Sequence, residues 1–160
     1  TLVATRALNA GLKTISPYIK RDNMYKARAV IGTVEGDIHD IGKNLVKMVV
    51  STVGVEVIDL GIDVSIDKFI EAIKKYKPQL VMISALLTTT LKQMKLTIEE
   101  IENKNLRDDV IIFVGGAPVT RAYAMEIKAD YYTKDVVELR NLLYENLDKI
   151  LKQKNTKKSR

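Results

Sequence analysis

The chemistry available to this chain centres on one histidine. His39 is the only histidine among 160 residues, and Asp37 precedes it by two positions. In an extended segment, residues two positions apart point the same way, so the Asp37 carboxylate can reach the imidazole ring. A carboxylate that holds one imidazole nitrogen leaves the other free to bind a metal, and the same pair suits a general base. A solvent-exposed histidine without a role is the remaining alternative.

Hydroxyl groups and glycines elsewhere in the chain are candidate partners for this pair. Ser84 and the threonines at 88–90 place four hydroxyls in seven residues. Threonine is favoured at helix N-termini, so we expect one of the three to be a cap, although the run exceeds what a cap needs. Gly115 and Gly116 fit either a tight turn between a strand and a helix or a wall that a ligand approaches closely. Gly42 allows the same two interpretations.

The composition argues against several kinds of site. The chain has no cysteine, which excludes disulfides and thiolate metal sites. One histidine with a few carboxylates supplies too few good ligands for zinc. No nucleophile can be assigned, so a hydrolase is not favoured. A cofactor that brings its own metal and needs one protein ligand fits these residues better.

The net charge of +6 does not indicate nucleic-acid binding. Six of the 26 basic residues lie from Lys149 onward, where no acidic residue occurs, and the other 20 balance 20 acids. The body of the chain therefore has no basic excess, and we expect no nucleic-acid partner. No apolar run is long enough to cross a membrane, and no signal peptide opens the chain, so we expect a cytoplasmic protein.

Apolar runs alternate with helical patterns five times, which predicts an α/β domain. Strands that are apolar throughout are typical of parallel sheets covered on both faces. Right-handed crossovers then give a doubly wound five-stranded parallel sheet, Rossmann-like or flavodoxin-like, with strand order 2-1-3-4-5. Ligands bind such sheets outside the carboxyl ends of the strands. The predicted strands are 29–34, 55–60, 80–84, 110–114 and a short one near Tyr131, and the predicted helices are 41–53, 65–76, 90–103, 118–127 and 135–151.

Three segments resemble, in order and spacing, the motifs of cobalamin-binding domains. The motifs D-x-H-x-x-G, S-x-L and G-G are matched by GDIHDIGKN at 36–44, SALLTTT at 84–90 and VGGAP at 114–118. Over about residues 24–145 the chain is similar to the corrinoid proteins of methyltransferase systems and to the cobalamin domain of methionine synthase.

The resemblance implies a role for each matched residue. His39 would be the lower axial ligand to cobalt and would displace the cofactor's own dimethylbenzimidazole, whose tail inserts into the domain. Asp37 would hydrogen-bond His39, Thr90 would be the third member of that network, and Gly42 would let the corrin approach. The tail cavity would be lined by Ser84, Leu86 and Thr88 on one side and by Gly115, Gly116 and Ala117 on the other. The remaining expected cofactor contacts are Ile38, Asp40, Ile41 and Tyr132.

The resemblance also implies a function, that of a methyl carrier. The chain would bind cobalamin or a related corrinoid and shuttle a methyl group between a substrate-specific methyltransferase and a second methyltransferase to the acceptor. It would be a carrier rather than a complete enzyme, with no catalytic residue of its own and a reductive activase as a further partner. The alternatives are the cobalamin-binding domain of a mutase and a cobalamin-sensing regulator, but segments 40–44 and 87–90 resemble the methyl-carrier branch more closely.

Three regions are expected along the chain. Residues 1–23 are predicted to be the remnant of a helical cap and a linker, with a short amphipathic helix over 1–12. Residues 24–151 form the predicted cobalamin-binding domain, and 152–160 a basic disordered tail. Because one short helix cannot shield a corrin, we expect the upper face of the cofactor to be open.

Overall fold

The computed structural model describes residue 6 and residues 25–158. Between residues 25 and 158, five strands alternate with five α-helices. The strands are β1 (Ala27–Thr33), β2 (Val55–Asp59), β3 (Leu80–Ser84), β4 (Ile111–Gly115) and β5 (Tyr131–Tyr132). The helices are α1 (Ile41–Thr52), α2 (Ile66–Tyr76), α3 (Leu91–Asn103), α4 (Arg121–Glu126) and α5 (Val136–Lys158), with 3₁₀ turns at Thr88–Thr90 and Arg107–Asp109.

The five strands form one parallel sheet in the order β2-β1-β3-β4-β5, which confirms the predicted fold and strand order. The pairing register aligns the last residues of the three central strands. Thr33 of β1 lies opposite Ser84 of β3, and Ser84 lies opposite Gly115 of β4. The carboxyl ends of these strands therefore meet at one edge of the sheet, where the loops that follow them can build a common site.

Apolar side chains pack on both faces of the sheet. Helices α2, α3 and α4 cover one face, and their buried residues include Phe69, Met94, Ile98 and Ala124. Helices α1 and α5 cover the other face with Val50, Leu139, Leu143 and Leu147. Full burial of a large apolar side chain stabilises a fold by roughly 1.5–3 kcal/mol. These two layers hold the strand ends in fixed positions.

The helix boundaries follow local signals, with one displacement. Ser65 caps α2 as predicted, and its hydroxyl accepts the backbone N–H of Lys68 at 3.3 Å. The helix expected from Pro118 instead begins at Arg121, because Thr120 supplies the cap by accepting the N–H of Tyr123 at 3.1 Å. The segment after β4 is therefore a longer loop than the sequence predicted.

The last helix is longer than expected. The prediction ended it near Leu151 and treated 152–160 as a disordered tail, but α5 continues to Lys158, so the basic segment is helical over most of its length. Lysine and glutamine are good helix formers, and no glycine or proline follows Leu151 to stop the helix.

The predicted cap remnant and linker lie outside the described residues, apart from Arg6. Among the described residues, no helix has both the length and the apolar character that crossing a bilayer requires.

Candidate functional site

The site is built on a tight turn that follows β1. The backbone N–H of Asp37 donates to the carbonyl of Val34 at 3.1 Å, and Gly36 has a φ of +83°. A positive φ at the third position of such a turn is the conformation that glycine adopts without steric cost. The turn directs the Asp37 side chain inward, where none of it is exposed to solvent.

Asp37 and His39 are in direct contact, as the sequence predicted. Nδ1 of His39 lies 2.7 Å from Oδ1 of Asp37, and the same oxygen accepts the backbone N–H of His39 at 3.1 Å. An ionised carboxylate can only accept, so Nδ1 carries the proton of this hydrogen bond, and in the neutral ring the lone pair is then on Nε2. The His39 side chain is 45% exposed, and its Nε2 has no hydrogen-bonding partner within residues 25–158. The geometry is that of a histidine prepared to bind a metal through Nε2.

The second oxygen of Asp37 is held by the loop that follows β3. Oδ2 accepts the backbone N–H of Leu86 at 2.7 Å, that of Leu87 at 3.2 Å and the hydroxyl of Thr90 at 2.9 Å. Burial raises the pKa of this carboxyl, but the hydrogen bonds from Leu86, His39 and Thr90 outweigh it and lower the pKa from 3.8 to about 2. Asp37 is therefore a fixed negative charge beside the ring.

Thr90 serves this network rather than the helix that follows. Thr90 precedes α3 at the N-cap position, but its side chain makes no capping hydrogen bond. The expectation that one of the three threonines caps the helix is therefore wrong for Thr90, which is buried against Asp37. Thr88 and Thr89 are exposed in the preceding turn.

Two further hydroxyl groups, those of Thr33 and Ser84, stabilise the backbone at the histidine. Ser84 was a predicted site residue and Thr33 was not. Thr33 donates its hydroxyl to the carbonyl of His39 at 3.0 Å, and its oxygen lies 2.9 Å from that of Ser84. Thr33 was hidden because a β-branched residue inside an apolar strand is typical of the core. Its position at the end of β1 was the only available signal.

Lys43 has a structural partner and is not available as a charge for a ligand. Its side chain is 3% exposed, and Nζ lies 2.9 Å from both carboxylate oxygens of Asp59 and 2.8 Å from Oδ1 of Asn44. Burial raises the pKa of Asp59, but the hydrogen bond from Lys43, the N–H of Gly61 and the charge of Lys47 lower it overall. This ion pair ties the first turn of α1 to the end of β2.

Exposed apolar side chains lie on the segments next to the histidine and its carboxylate partner. Large hydrophobic residues are exposed on both segments that Asp37 joins: Ile38 at 70%, Ile41 at 50%, Leu86 at 42% and Leu87 at 39%. A side chain added at Gly42 would meet no other atom within 4 Å, so the space above this position is open. Apolar surface of this kind, next to a free imidazole nitrogen, fits a large flat ligand.

The two glycines at the end of β4 are explained by different features of the structure. A Cβ atom added at Gly116, where φ is +130°, would lie 1.8 Å from the carbonyl oxygen of Ala85. Close packing of two loops therefore explains Gly116 without a ligand. At Gly115 the nearest atom would be 4.0 Å away, on Thr133, which is an ordinary contact. Cofactor contacts at both positions stay predictions.

The other predicted residues also lie at this edge of the sheet. Asp40 and Ala117 are exposed, and Tyr132 pairs with Val114 at the end of β4. The guanidinium of Arg121 lies 5.6 Å from the centre of the Tyr132 ring. Their contacts with a cofactor stay predictions.

The donor set fits a metal that arrives inside a cofactor. Over the part of the chain that the structure describes, no three His, Cys, Asp or Glu side chains are grouped to hold a metal ion. His39 nevertheless presents a free nitrogen on a ring that a buried carboxylate orients, and exposed apolar residues lie on the neighbouring segments. Those features fit one axial bond to the metal of a macrocycle.

Comparison with known proteins gives the same family by sequence and by structure. The family profile described as "B12 binding domain" matches residues 27–139. The chain is 45% identical over 134 residues to the trimethylamine corrinoid protein of Methanosarcina barkeri, covering 82% of this chain and 62% of that protein. The monomethylamine corrinoid protein of the same organism superposes with a TM-score of 0.78 at 30% identity, over 90% of this chain and 69% of the other. The methanol:cobalamin methyltransferase complex of that organism gives a TM-score of 0.73 at 25% identity, over 94% and 56%.

Proposed function

This chain belongs to the B12-binding domain family, and from that premise we propose that it is a methyl carrier of a methyltransferase system. Its cofactor is a corrinoid. The chain spans 62% of the length of the trimethylamine corrinoid protein, so the activity of the whole protein is part of the proposal. Relatives named for trimethylamine and dimethylamine support a methylated amine as the methyl donor.

One contact carries the proposal: the 2.7 Å hydrogen bond between Asp37 and Nδ1 of His39. It leaves Nε2 of His39 free, and this nitrogen would hold the cobalt of a bound corrinoid in place of the cofactor's own base. When bound, the corrinoid supplies a cobalt centre that can accept and release a methyl group. Asp37 stays ionised because its pKa is about 2. Its hydrogen bond to Nδ1 keeps the imidazole electron-rich and fixes the orientation of the ring.

The other residues of the site bind and orient. Ile38, Ile41, Leu86 and Leu87 offer apolar surface that a macrocycle would remove from water. Thr33 fixes the carbonyl of His39 and so limits how far the ring can shift. No step of methyl transfer is assigned to a side chain of this chain.

The partners follow from the carrier role. A carrier needs one methyltransferase to load the methyl group and another to remove it, and one structural neighbour is a methyltransferase complex. A reductive activase and a cytoplasmic location stay predictions from the sequence. Relatives named as corrinoid proteins support the carrier over a mutase domain or a regulator.

Histidine ligation is tested by electron paramagnetic resonance of the chain loaded with cobalt(II) corrinoid. Labelling the protein with nitrogen-15 should change the splitting from an axial nitrogen, and His39→Ala should abolish that response. Because the ring is 45% exposed, His39→Ala should leave the domain folded. A nitrogen signal that ignores labelling, or survives in His39→Ala, would contradict ligation by this residue.

Methyl transfer is tested separately with deuterated trimethylamine, a trimethylamine methyltransferase and the reduced, loaded chain. Mass spectrometry should find the labelled methyl group on the chain's cofactor and find much less with His39→Ala. Absence of label with trimethylamine, dimethylamine and monomethylamine alike would contradict the proposed donor class.

A further inference from the structure

Two neighbouring loops meet beside His39. The histidine loop comprises residues 34–40, and the β2 loop comprises residues 60–64. Val34 and Val64 form an isolated parallel bridge between the loops, and Val64 donates its N–H to the carbonyl of Thr33 at 2.9 Å. The β2 loop therefore continues the sheet past the last residue of β1 and runs along the turn that carries Asp37.

Asp63 of the β2 loop makes two hydrogen bonds to this turn, one to the residue before Asp37 and one to the carbonyl of Asp37 itself. Its Oδ1 accepts the backbone N–H of Gly36 at 2.7 Å. Its own backbone N–H donates to the carbonyl of Asp37 at 2.9 Å. The two hydrogen bonds bracket the residue that orients the histidine, and Asp63 provides both of them.

The left-handed backbone at Asp63 is costly without the hydrogen bonds. Asp63 has a φ of +50° and Gly36 a φ of +83°, so two left-handed residues face each other. A left-handed non-glycine residue is disfavoured, and aspartate and asparagine tolerate it best because their side chains bond to nearby backbone groups. Asp63 is exposed and adds nothing to the core, so its contribution is the acceptor oxygen and the conformation.

We propose that Asp63 is a positioning residue for metal ligation, acting through Asp37 on His39. The inference rests on the proposed function for the identity of the metal, but its geometric part concerns the apo chain alone. With both Asp63 hydrogen bonds formed, the Asp37 carboxylate stays hydrogen-bonded to Nδ1 of His39, and Nε2 stays free. Without the two Asp63 hydrogen bonds, the backbone of the turn at Gly36 becomes more mobile. The Asp37–His39 hydrogen bond is then formed for a smaller fraction of the time.

Three substitutions separate positioning from general stability. Asp63→Gly removes the acceptor but accepts the left-handed backbone. Asp63→Asn keeps an acceptor oxygen and tolerates the same backbone, so it should behave like the native chain. Lys77→Gly is the matched control, because Lys77 also has a positive φ, +46°, but ends α2 at the opposite edge of the sheet.

The first measurement uses the apo chain labelled with nitrogen-15 histidine, which gives a single imidazole because the chain has one histidine. The Nδ1–H proton should be sharp in the native chain, in Asp63→Asn and in Lys77→Gly, since Asp37 protects it from exchange. It should be broadened in Asp63→Gly. The second measurement is the affinity for hydroxocobalamin, which should fall about tenfold in Asp63→Gly only.

The outcomes are distinct. An unchanged Nδ1–H signal and affinity in Asp63→Gly would overturn the role of Asp63. Equal losses in Asp63→Gly and Lys77→Gly would overturn it as well, by assigning the effect to glycine flexibility. A native chain without protein nitrogen on cobalt would refute the proposed ligation by His39, while the apo Nδ1–H comparison would still test whether Asp63 positions Asp37. If Asp63→Gly does not fold, Asp63→Glu, which keeps the charge and displaces the acceptor, provides the same comparison.

Discussion

Replacing Asp37 by asparagine is expected to destabilise the apo domain, because both carboxylate oxygens face donors only. Oδ1 accepts from the ring and the backbone N–H of His39, and Oδ2 accepts from the N–H groups of Leu86 and Leu87 and the hydroxyl of Thr90. An amide has a single oxygen, so its NH₂ group would meet donors in either orientation.

The pKa of Asp37 gives the size of the effect. A pKa lowered from 3.8 to about 2 means that folding favours the ionised form by about 2.4 kcal/mol. Because the folded pKa lies below the unfolded one, this stabilisation is present above about pH 4 and is lost as the pH falls through about 2. Buried N–H groups without an acceptor add about 1–3 kcal/mol. We therefore expect Asp37→Asn to lower the free energy of unfolding by about 3–5 kcal/mol at pH 7.

Urea unfolding of the apo chain at pH 7, 5 and 3 is the assay. The native chain and the variant share every other acid, so the pH dependence of their difference belongs to Asp37 and its partners. The difference should shrink by about 1 kcal/mol between pH 5 and pH 3. Asp40→Asn is the control, because Asp40 is exposed in the same loop and its side chain makes no capping bond. A loss below about 1 kcal/mol at pH 7, or a difference that ignores pH, would refute this account of the buried carboxylate.

Two further pairs of substitutions are expected to differ within each pair, as measured by urea unfolding at pH 7. Gly116→Ala should lower the free energy of unfolding by more than about 3 kcal/mol, because its Cβ would lie 1.8 Å from the carbonyl oxygen of Ala85. Gly115→Ala should cost less than about 1 kcal/mol, and equal costs would contradict the packing described here. Lys43→Met should cost about 2 kcal/mol and Lys47→Met less than about 1 kcal/mol. The Lys43 loss should diminish in acid, since the ion pair lowers the pKa of Asp59 and its stabilisation is lost once that carboxylate is protonated; a loss independent of pH would count against the pair.

The sequence was sufficient for the sheet and for the central pair of the site. Continuous apolar strands separated by helices leave few alternatives to a doubly wound parallel sheet, and the observed order is the predicted one. The two-residue spacing of Asp37 and His39 predicted their contact because that relation is local. Thr90 followed from the resemblance, since its partner lies 53 positions away.

What the sequence did not predict depends on backbone groups and on register. The N–H groups of Leu86 and Leu87 carry no signature in residue type, although they hold one whole oxygen of Asp37. Asp63 resembles any polar loop residue until the β2 loop is laid beside the turn at Gly36. The reason for a glycine at position 116 could not be predicted either, because the atom that excludes a side chain there, the carbonyl oxygen of Ala85, belongs to another loop. In each case the missing fact is a tertiary distance.

The backbone N–H groups that follow β3 explain why a buried carboxylate is stable at this position. Where β3 ends, the backbone of Leu86 and Leu87 leaves the sheet and its N–H groups lose their strand partners, so they need an acceptor. Asp37 supplies that acceptor and turns His39 with its other oxygen. The same side chain therefore completes the fold and orients the metal ligand. Loss of cofactor binding in an Asp37 variant is consequently no measure of its role in ligation, because the variant also removes the acceptor that holds the loop after β3. Substitutions at His39, whose ring is 45% exposed, can make that assignment, since they remove the ligand and leave the backbone donors bound to Asp37.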